Sequence, residues 1–147
     1  MKPQHLPDGY HTITPYLVIN HAAHVIEFAK TVFGATEHIK SFHDDGTVQH
    51  AELHIGDSVL LLADCPPHHP PMPAMLYIFV DDADAIYQKA LEAGAESVMA
   101  PANQIYGDRN AGVKDASGIL WWIGTHIEDV SPDEMKKREA ELKSKKS

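Results

Sequence analysis

YGDRNAGVKDASGILWWIGTH, residues 106–126, contains two turns and one strand. Tyr106-Gly107-Asp108-Arg109-Asn110 reads as a polar turn, because glycine and asparagine tolerate backbone angles that most residues avoid. Asp115-Ala116-Ser117-Gly118 is a second turn, and it feeds the apolar run Ile119-Leu120-Trp121-Trp122-Ile123. Strand side chains alternate between faces, so Ile119, Trp121 and Ile123 point one way while Leu120 and Trp122 point the other. Both faces are apolar, so the strand should be covered on both sides. Two readings follow. Either both tryptophans fill a buried hairpin, or one faces the core and the other floors a cup.

Outward from this stretch, the chain repeats itself. Thr12 to Asn20 reads as a strand with Pro15 at an edge or bulge, and Asn20 is placed to cap the next helix. Val25, Ile26, Ala29, Val32 and Phe33 recur at helical spacing, and Gly34 follows as a stop. Strands at Glu37 to Phe42, Val48 to Ile55 and Ser58 to Ala63 are joined by Asp44-Asp45-Gly46 and Gly56-Asp57. Cys65 to Pro73, CPPHHPPMP, forbids regular structure and reads as a linker.

The order then begins again. A strand at Leu76 to Val80 leads to a cap at Asp81 or Asp82 and to a helix with Ala83, Ile86, Tyr87, Ala90 and Leu91 on its apolar side. Gly94 ends that helix, and strands follow at Ser97 to Ala100, Ala111 to Lys114 and Ile119 to Gly124. Tyr16-Leu17-Val18-Ile19-Asn20 answers Tyr77-Ile78-Phe79-Val80-Asp81, Phe33-Gly34-Ala35 answers Ala93-Gly94-Ala95, and Gly56-Asp57-Ser58-Val59-Leu60 answers Ser117-Gly118-Ile119-Leu120. One offset serves all three to within a residue, which identifies an internal βαβββ repeat.

Composition excludes several classes. With 21 acidic and 12 basic residues and a formal charge of -9, the chain lacks the basic stripe that nucleic acid requires. The lone Cys65 makes no internal disulfide and fits no zinc-finger spacing. No apolar run has transmembrane length, and no apolar signal region follows Met1-Lys2-Pro3-Gln4-His5, so a soluble cytoplasmic protein is expected. Residues 1–9 read as an arm. Ser131-Pro132-Asp133-Glu134 starts a tail helix with only Met135, Ala140 and Leu142 as apolar side chains.

The doubled βαβββ unit, ending in Asp115-Ala116-Ser117-Gly118 and an aromatic strand, resembles the vicinal oxygen chelate superfamily, which includes glyoxalase I, extradiol dioxygenases and the fosfomycin- and bleomycin-resistance proteins. Tyr106-Gly107-Asp108-Arg109, Trp121-Trp122 and Thr125-His126-Ile127-Glu128-Asp129-Val130 resemble its PhnB-like, glyoxalase-related branch. The resemblance implies an α+β fold of paired βαβββ modules curling a mixed sheet into a cup, with helices outside, in a homodimer. It implies a single domain over residues 1–130, with module one at 12–64, the linker at 65–73, module two at 74–126 and a helical tail at 131–147.

Metal enzymes of this superfamily take ligands from the first and last strands of each module. Carried over by position, these fall near Thr14, Leu61, Met75 and Trp122, which do not make a histidine and carboxylate site. No cofactor is therefore expected at that position, and a divalent metal is disfavoured. The same faces direct Tyr16, Tyr77, Phe79 and Trp122 into the cup, where they suit a flat or apolar ligand, unless they are core residues of a filled barrel half.

In His50-Ala51-Glu52-Leu53-His54-Ile55, alternation puts His50, Glu52 and His54 on one face. That face is either a solvated edge, a general base His50 oriented by Glu52, or two histidines converging on a metal. Arg109, beside Tyr106, either clamps a ligand carboxylate or phosphate or pairs with Asp108 or Asp115. His5, His11, His21, His24, His38, His43 and His126 are scattered and carry no assigned role, and His68 and His69 lie in the linker. The expected function is small-molecule binding in the cup by Tyr16, Tyr77, Phe79, Tyr106, Arg109 and Trp122, with neither nucleic acid nor membrane as partner. The alternative is a glyoxalase-like lyase or isomerase acting on a small carbonyl compound, metal-assisted or with His50 as base.

Overall fold

The elements follow one another as βαβββ, twice, and then a helix. They are β1 (Tyr16–Ile19), α1 (Ala22–Phe33), β2 (Thr36–Phe42), β3 (Val48–Ile55), β4 (Ser58–Asp64), β5 (Met75–Phe79), α2 (Ala83–Glu92), β6 (Glu96–Asn103), β7 (Asp108–Lys114), β8 (Leu120–His126) and α3 (Pro132–Lys146). This is a computed structural model, and it describes residues 4–146. Residues 1–3 of the expected arm and Ser147 of the tail lie outside the described residues.

Each module forms its own four-stranded sheet, ordered β1-β4-β3-β2 in the first and β5-β8-β7-β6 in the second. In both, the first strand pairs parallel with the last, and the rest pair antiparallel. The repeat holds at the level of register. Tyr16 faces Leu61 in the first sheet, and the same shift along the chain brings Tyr77 opposite Trp122 in the second. The architecture is α+β, as expected, but the two sheets are not hydrogen-bonded to each other among the described residues.

The modules are joined instead through their helix-side faces. Leu17, Ile19, Leu53, Leu62, Val113, Ile119 and Ile123 are buried in one cluster with Val25, Ile26, Phe28 and Val32 of α1. Trp121 is fully buried, its ring 5.9 Å from Phe28 and 5.1 Å from Phe33, so a module-two tryptophan packs on the module-one helix. α1 and α2 also touch. Each sheet therefore turns one face to this shared core and leaves the opposite face open, where Tyr16, Met75, Tyr77 and Phe79 are exposed. The expectation that both faces of β8 are covered holds for the Trp121 side, packed on Phe28 and Phe33 of α1, while Trp122 is only half-buried.

Two local expectations need correction. Asn20 does not cap α1. Its side chain accepts a bond from Cys65 Sγ, and Asp64 serves instead, accepting from the backbone N–H groups of Ala22 and Val48 at 2.9 and 2.7 Å. The parallel pairing of Ile19 with Asp64 brings that carboxylate to the helix start, which sequence order alone conceals. Asp108, Arg109 and Asn110 are not a turn but the first residues of β7, paired with His126, Thr125 and Gly124. The turn is earlier and closes on Gly107, whose φ of 99° is left-handed and whose carbonyl accepts from Ile127 and Glu128.

Asp82 and Ser131 do cap α2 and α3, accepting from Ala85 and Glu134 respectively. α3 offers little apolar surface, and Arg138 anchors it by donating to Glu128, Glu134 and the carbonyl of Ile105. No helix among the described residues is long and apolar enough to cross a membrane.

Candidate functional site

Alternation along β7 and β8 decides what the open face of the second sheet presents. Asp108, Asn110 and Gly112 share that face of β7, while Arg109, Ala111 and Val113 turn toward α2 and the core. Gly112 lies opposite Trp122 and has no side chain, so the indole lies across it; a Cβ there would meet Trp122 Cζ3 at 2.6 Å. Gly124 does the same for Tyr77, where a Cβ would meet Cε1 at 2.6 Å. Two glycines thus let two aromatic rings lie flat on the sheet, with their other faces turned outward. Trp122 is only half-buried, in contrast to its neighbour Trp121.

Around Trp122 and Tyr77 stand Met75, Met99 and Tyr106, with the amides of Gln104 and Asn110, lining a shallow cavity of about 330 Å³ that opens widely to solvent. This is the size of small-ligand pockets, which are mostly apolar with a few placed polar groups. The polar groups are locked in a chain. Gln104 donates to Asn110 Oδ1 at 3.0 Å, and Asn110 Nδ2 donates to Tyr106 at 2.7 Å and to Tyr77 at 3.1 Å. Tyr77 donates in turn to Asp108 Oδ2 at 2.7 Å. Burial, with the bond to Asp108, pushes the Tyr77 phenol up to about 12, so it remains a neutral donor near neutral pH.

His126 closes the chain, donating from Nδ1 to Asp108 at 2.9 Å and from Nε2 to Asp129 at 2.7 Å. Both ring nitrogens donate, which requires the imidazolium form, and Asp129 followed by Asp108 holds its pKa above the ordinary histidine value. The network fixes the walls of the cavity and leaves the rings to make the contact.

The structure brings together Tyr77, Tyr106 and Trp122 of the residues singled out in the sequence. Phe79 is exposed beside Tyr77, with 4.9 Å between ring centroids, but outside this cavity. Arg109 points to the other side of the sheet, where Nε donates to Asp84 at 3.0–3.1 Å and Nη1 to Asn103. Tyr16 lies on the first sheet, its hydroxyl 3.5 Å from His50 Nδ1. Glu52 is buried and does not bond His50; its oxygens accept from Tyr10 and, at 2.8 Å, from His54 Nε2. Asp108, Asn110, Gln104 and His126 complete the site without having been singled out. The alternation of Asp108 and Asn110 along a strand would have revealed them, had that segment been read as strand.

A larger cleft, about 620 Å³, lies between the modules, bounded by His11, Ile13, the β3–β4 turn and the free edge of β5. Its walls are mostly apolar, with Phe33, Leu60 and Trp121 on one side and β5, carrying Tyr77 and Phe79, on the other. Among the described residues no comparable set of interlocked polar side chains converges there, so the smaller cavity is the stronger candidate. The positions where the superfamily resemblance puts metal ligands do not fit a divalent cation. Thr14 donates its hydroxyl to His11, Met75 offers only a thioether, and Leu61 and Trp122 offer no lone pair suited to a metal.

Residues 9–123 match the family model described as Glyoxalase/Bleomycin resistance protein/Dioxygenase superfamily. An uncharacterized protein of Mycobacterium bovis is 33% identical over 134 residues, covering 84% of this chain and 88% of the relative. One of Mycobacterium tuberculosis is equally identical, with 79% of the relative covered. Among solved structures, TioX from Micromonospora sp. ML1 superposes with a TM-score of 0.67 at 21% identity, over 80% of this chain and 99% of that one. The PhnB protein from Bacillus cereus gives 0.65 at 19%, over 78% and 99%. The fosfomycin resistance protein FosX from Mesorhizobium loti gives 0.58 at 14%, over 78% and 90%.

Proposed function

This chain belongs to the Glyoxalase/Bleomycin resistance protein/Dioxygenase superfamily, and on that premise we propose that it is a small-molecule-binding member that stacks an aromatic ligand on Trp122. The observation that carries the reading is the indole lying over Gly112 with its outer face turned into a cavity walled by Tyr77, Tyr106 and two methionines. Aromatic and thioether surfaces favour a flat apolar body. The chain's formal charge of -9 and the electron-rich ring faces favour a cationic one.

The usual superfamily metal position is held to be empty of metal in this protein, because its four side chains supply no adequate donor set. The lyase or isomerase alternative with His50 as base has less support, since the Glu52 carboxylate engages Tyr10 and His54 instead. A homodimer belongs to the same proposal: the free edges of β2, β5 and β6 favour a second copy beside them. The single Cys65 suits a reducing cytoplasm.

The test is a titration of intrinsic tryptophan fluorescence with a panel of cationic aromatic dyes. Binding should quench emission in the parent protein and in Trp121→Phe, and Trp122→Ala should abolish it. Equal quenching in Trp122→Ala would overturn the reading. Sedimentation at micromolar concentration decides the dimer separately.

A further inference from the structure

On the open face of the first sheet, far in sequence from the aromatic cavity, three metal-competent side chains meet. One ligand atom each from His38, Glu52 and His54 lies within 4.8 Å of the other two. We propose that these residues form a site for a zinc-class divalent cation, with one coordination position left to water. Two imidazoles and one carboxylate are the donor set that borderline first-row cations prefer, and three protein ligands with an open position mark zinc sites that meet solvent.

The strand geometry is built for this convergence. Glu52 and His54 share a face of β3 by alternation. His38 comes from β2, where the pairing slips between Glu37 and Ile39, so His38 falls in a bulge. A bulge re-aims a side chain that regular pairing would place elsewhere. Here the His38 ring stacks on that of His54, with centroids 3.6 Å apart.

The surroundings supply the outer contacts a metal site needs. Tyr10, just after the arm, donates to one oxygen of Glu52 and leaves the other facing His54. Thr36 Oγ1 lies 3.1 Å from His38 Nε2. Such partners fix the orientation of ligating carboxylates and imidazoles. Without metal, His54 Nε2 lies 2.8 Å from Glu52 Oε2; a cation bound between them takes the neutral ring's Nε2 lone pair, and the ring carries its hydrogen on Nδ1 instead. The site uses strands β2 and β3, not the first and last strands of a module, and it shares no residue with the Trp122 cavity.

The test uses the full chain, without a histidine tag, stripped with chelator and titrated with Co(II) or Zn(II). One equivalent should bind, and Co(II) should develop the visible bands of low-symmetry four- or five-coordination. His38→Ala, at an exposed position, and His54→Gln should each weaken binding by more than about 100-fold, whereas Tyr10→Phe, acting through Glu52, should cost roughly 10–100-fold. His68→Ala/His69→Ala, in the linker, should leave affinity unchanged. The proposal is overturned if the parent binds no stoichiometric metal, if His38→Ala binds as tightly as the parent, or if removal of the linker pair abolishes binding. Because Glu52 is buried, X-ray absorption of the Zn(II) complex replaces a Glu52 variant: two imidazoles and a carboxylate support the site, and an all-water or all-imidazole shell refutes it.

Discussion

Gly112→Ala isolates the aromatic platform from the rest of the fold. Gly112 is not among the left-handed glycines, so its backbone accepts alanine. The added methyl would lie 2.6, 2.9 and 3.0 Å from Cζ3, Cε3 and Cη2 of Trp122. Carbon contacts are best at about 3.5–4.0 Å, so the indole must lift by roughly 1 Å or leave its rotamer. Overpacking of this kind costs about 1–3 kcal/mol, against about 0.4–1 kcal/mol gained from a stiffer unfolded chain. The net is a loss of about 1 kcal/mol, measurable as a lower urea midpoint. A ligand that stacks on Trp122 should lose more. Aromatic stacking and cation–π contact are each worth about 1 kcal/mol, so dye affinity should fall about tenfold or more. Calorimetric titration of the folded variant reads that change. If affinity is unchanged while stability falls, Trp122 is a packing residue and the platform argument is wrong.

Other perturbations test neighbouring parts of the structure. Trp121→Ala removes a fully buried ring and the indole N–H that Asp115 accepts at 2.8 Å, so it should cost about 3–5 kcal/mol in chemical denaturation. Asp64→Ala strips the partner from two backbone N–H groups that open α1 and β3; a loss of about 2 kcal/mol and faster hydrogen exchange at Ala22 and Val48 are expected. His126 should titrate above the ordinary histidine value by NMR, and Asp129→Asn should bring it down. Because the folded pKa is the raised one, the stabilisation from these ion pairs is complete below about pH 6.5 and fades as pH rises through the folded value. A stability increase over that rise would contradict the assignment.

The repeat made the fold legible. Tyr16-Leu17-Val18-Ile19 and Tyr77-Ile78-Phe79-Val80 signal their strands through composition and period, and Gly34 and Gly94 mark where two helices stop. Strand alternation likewise separated Trp121 from Trp122. What stayed hidden depends on register and cross-strand distance. His38 carried no visible signal because a bulge, not its spacing, brings it to His54. His126 and Asp108 meet only because β7 pairs with β8. Arg109 looked like a ligand clamp beside Tyr106, yet once Asp108 begins a strand, alternation sends Arg109 to the opposite side and onto Asp84. Glu52 is a plausible partner for His50 two residues away, but Tyr10 and His54 take its oxygens.

The central claim, that the second sheet's open face binds an aromatic molecule on Trp122, has one direct readout. The chain holds only two tryptophans, so its ¹H–¹⁵N spectrum contains two indole N–H signals, assignable with Trp121→Phe. Titration with a cationic aromatic dye should shift the Trp122 signal by the ring current of the stacked dye and leave the buried Trp121 signal in place. Equal movement of both signals, or none at saturating dye, would contradict it.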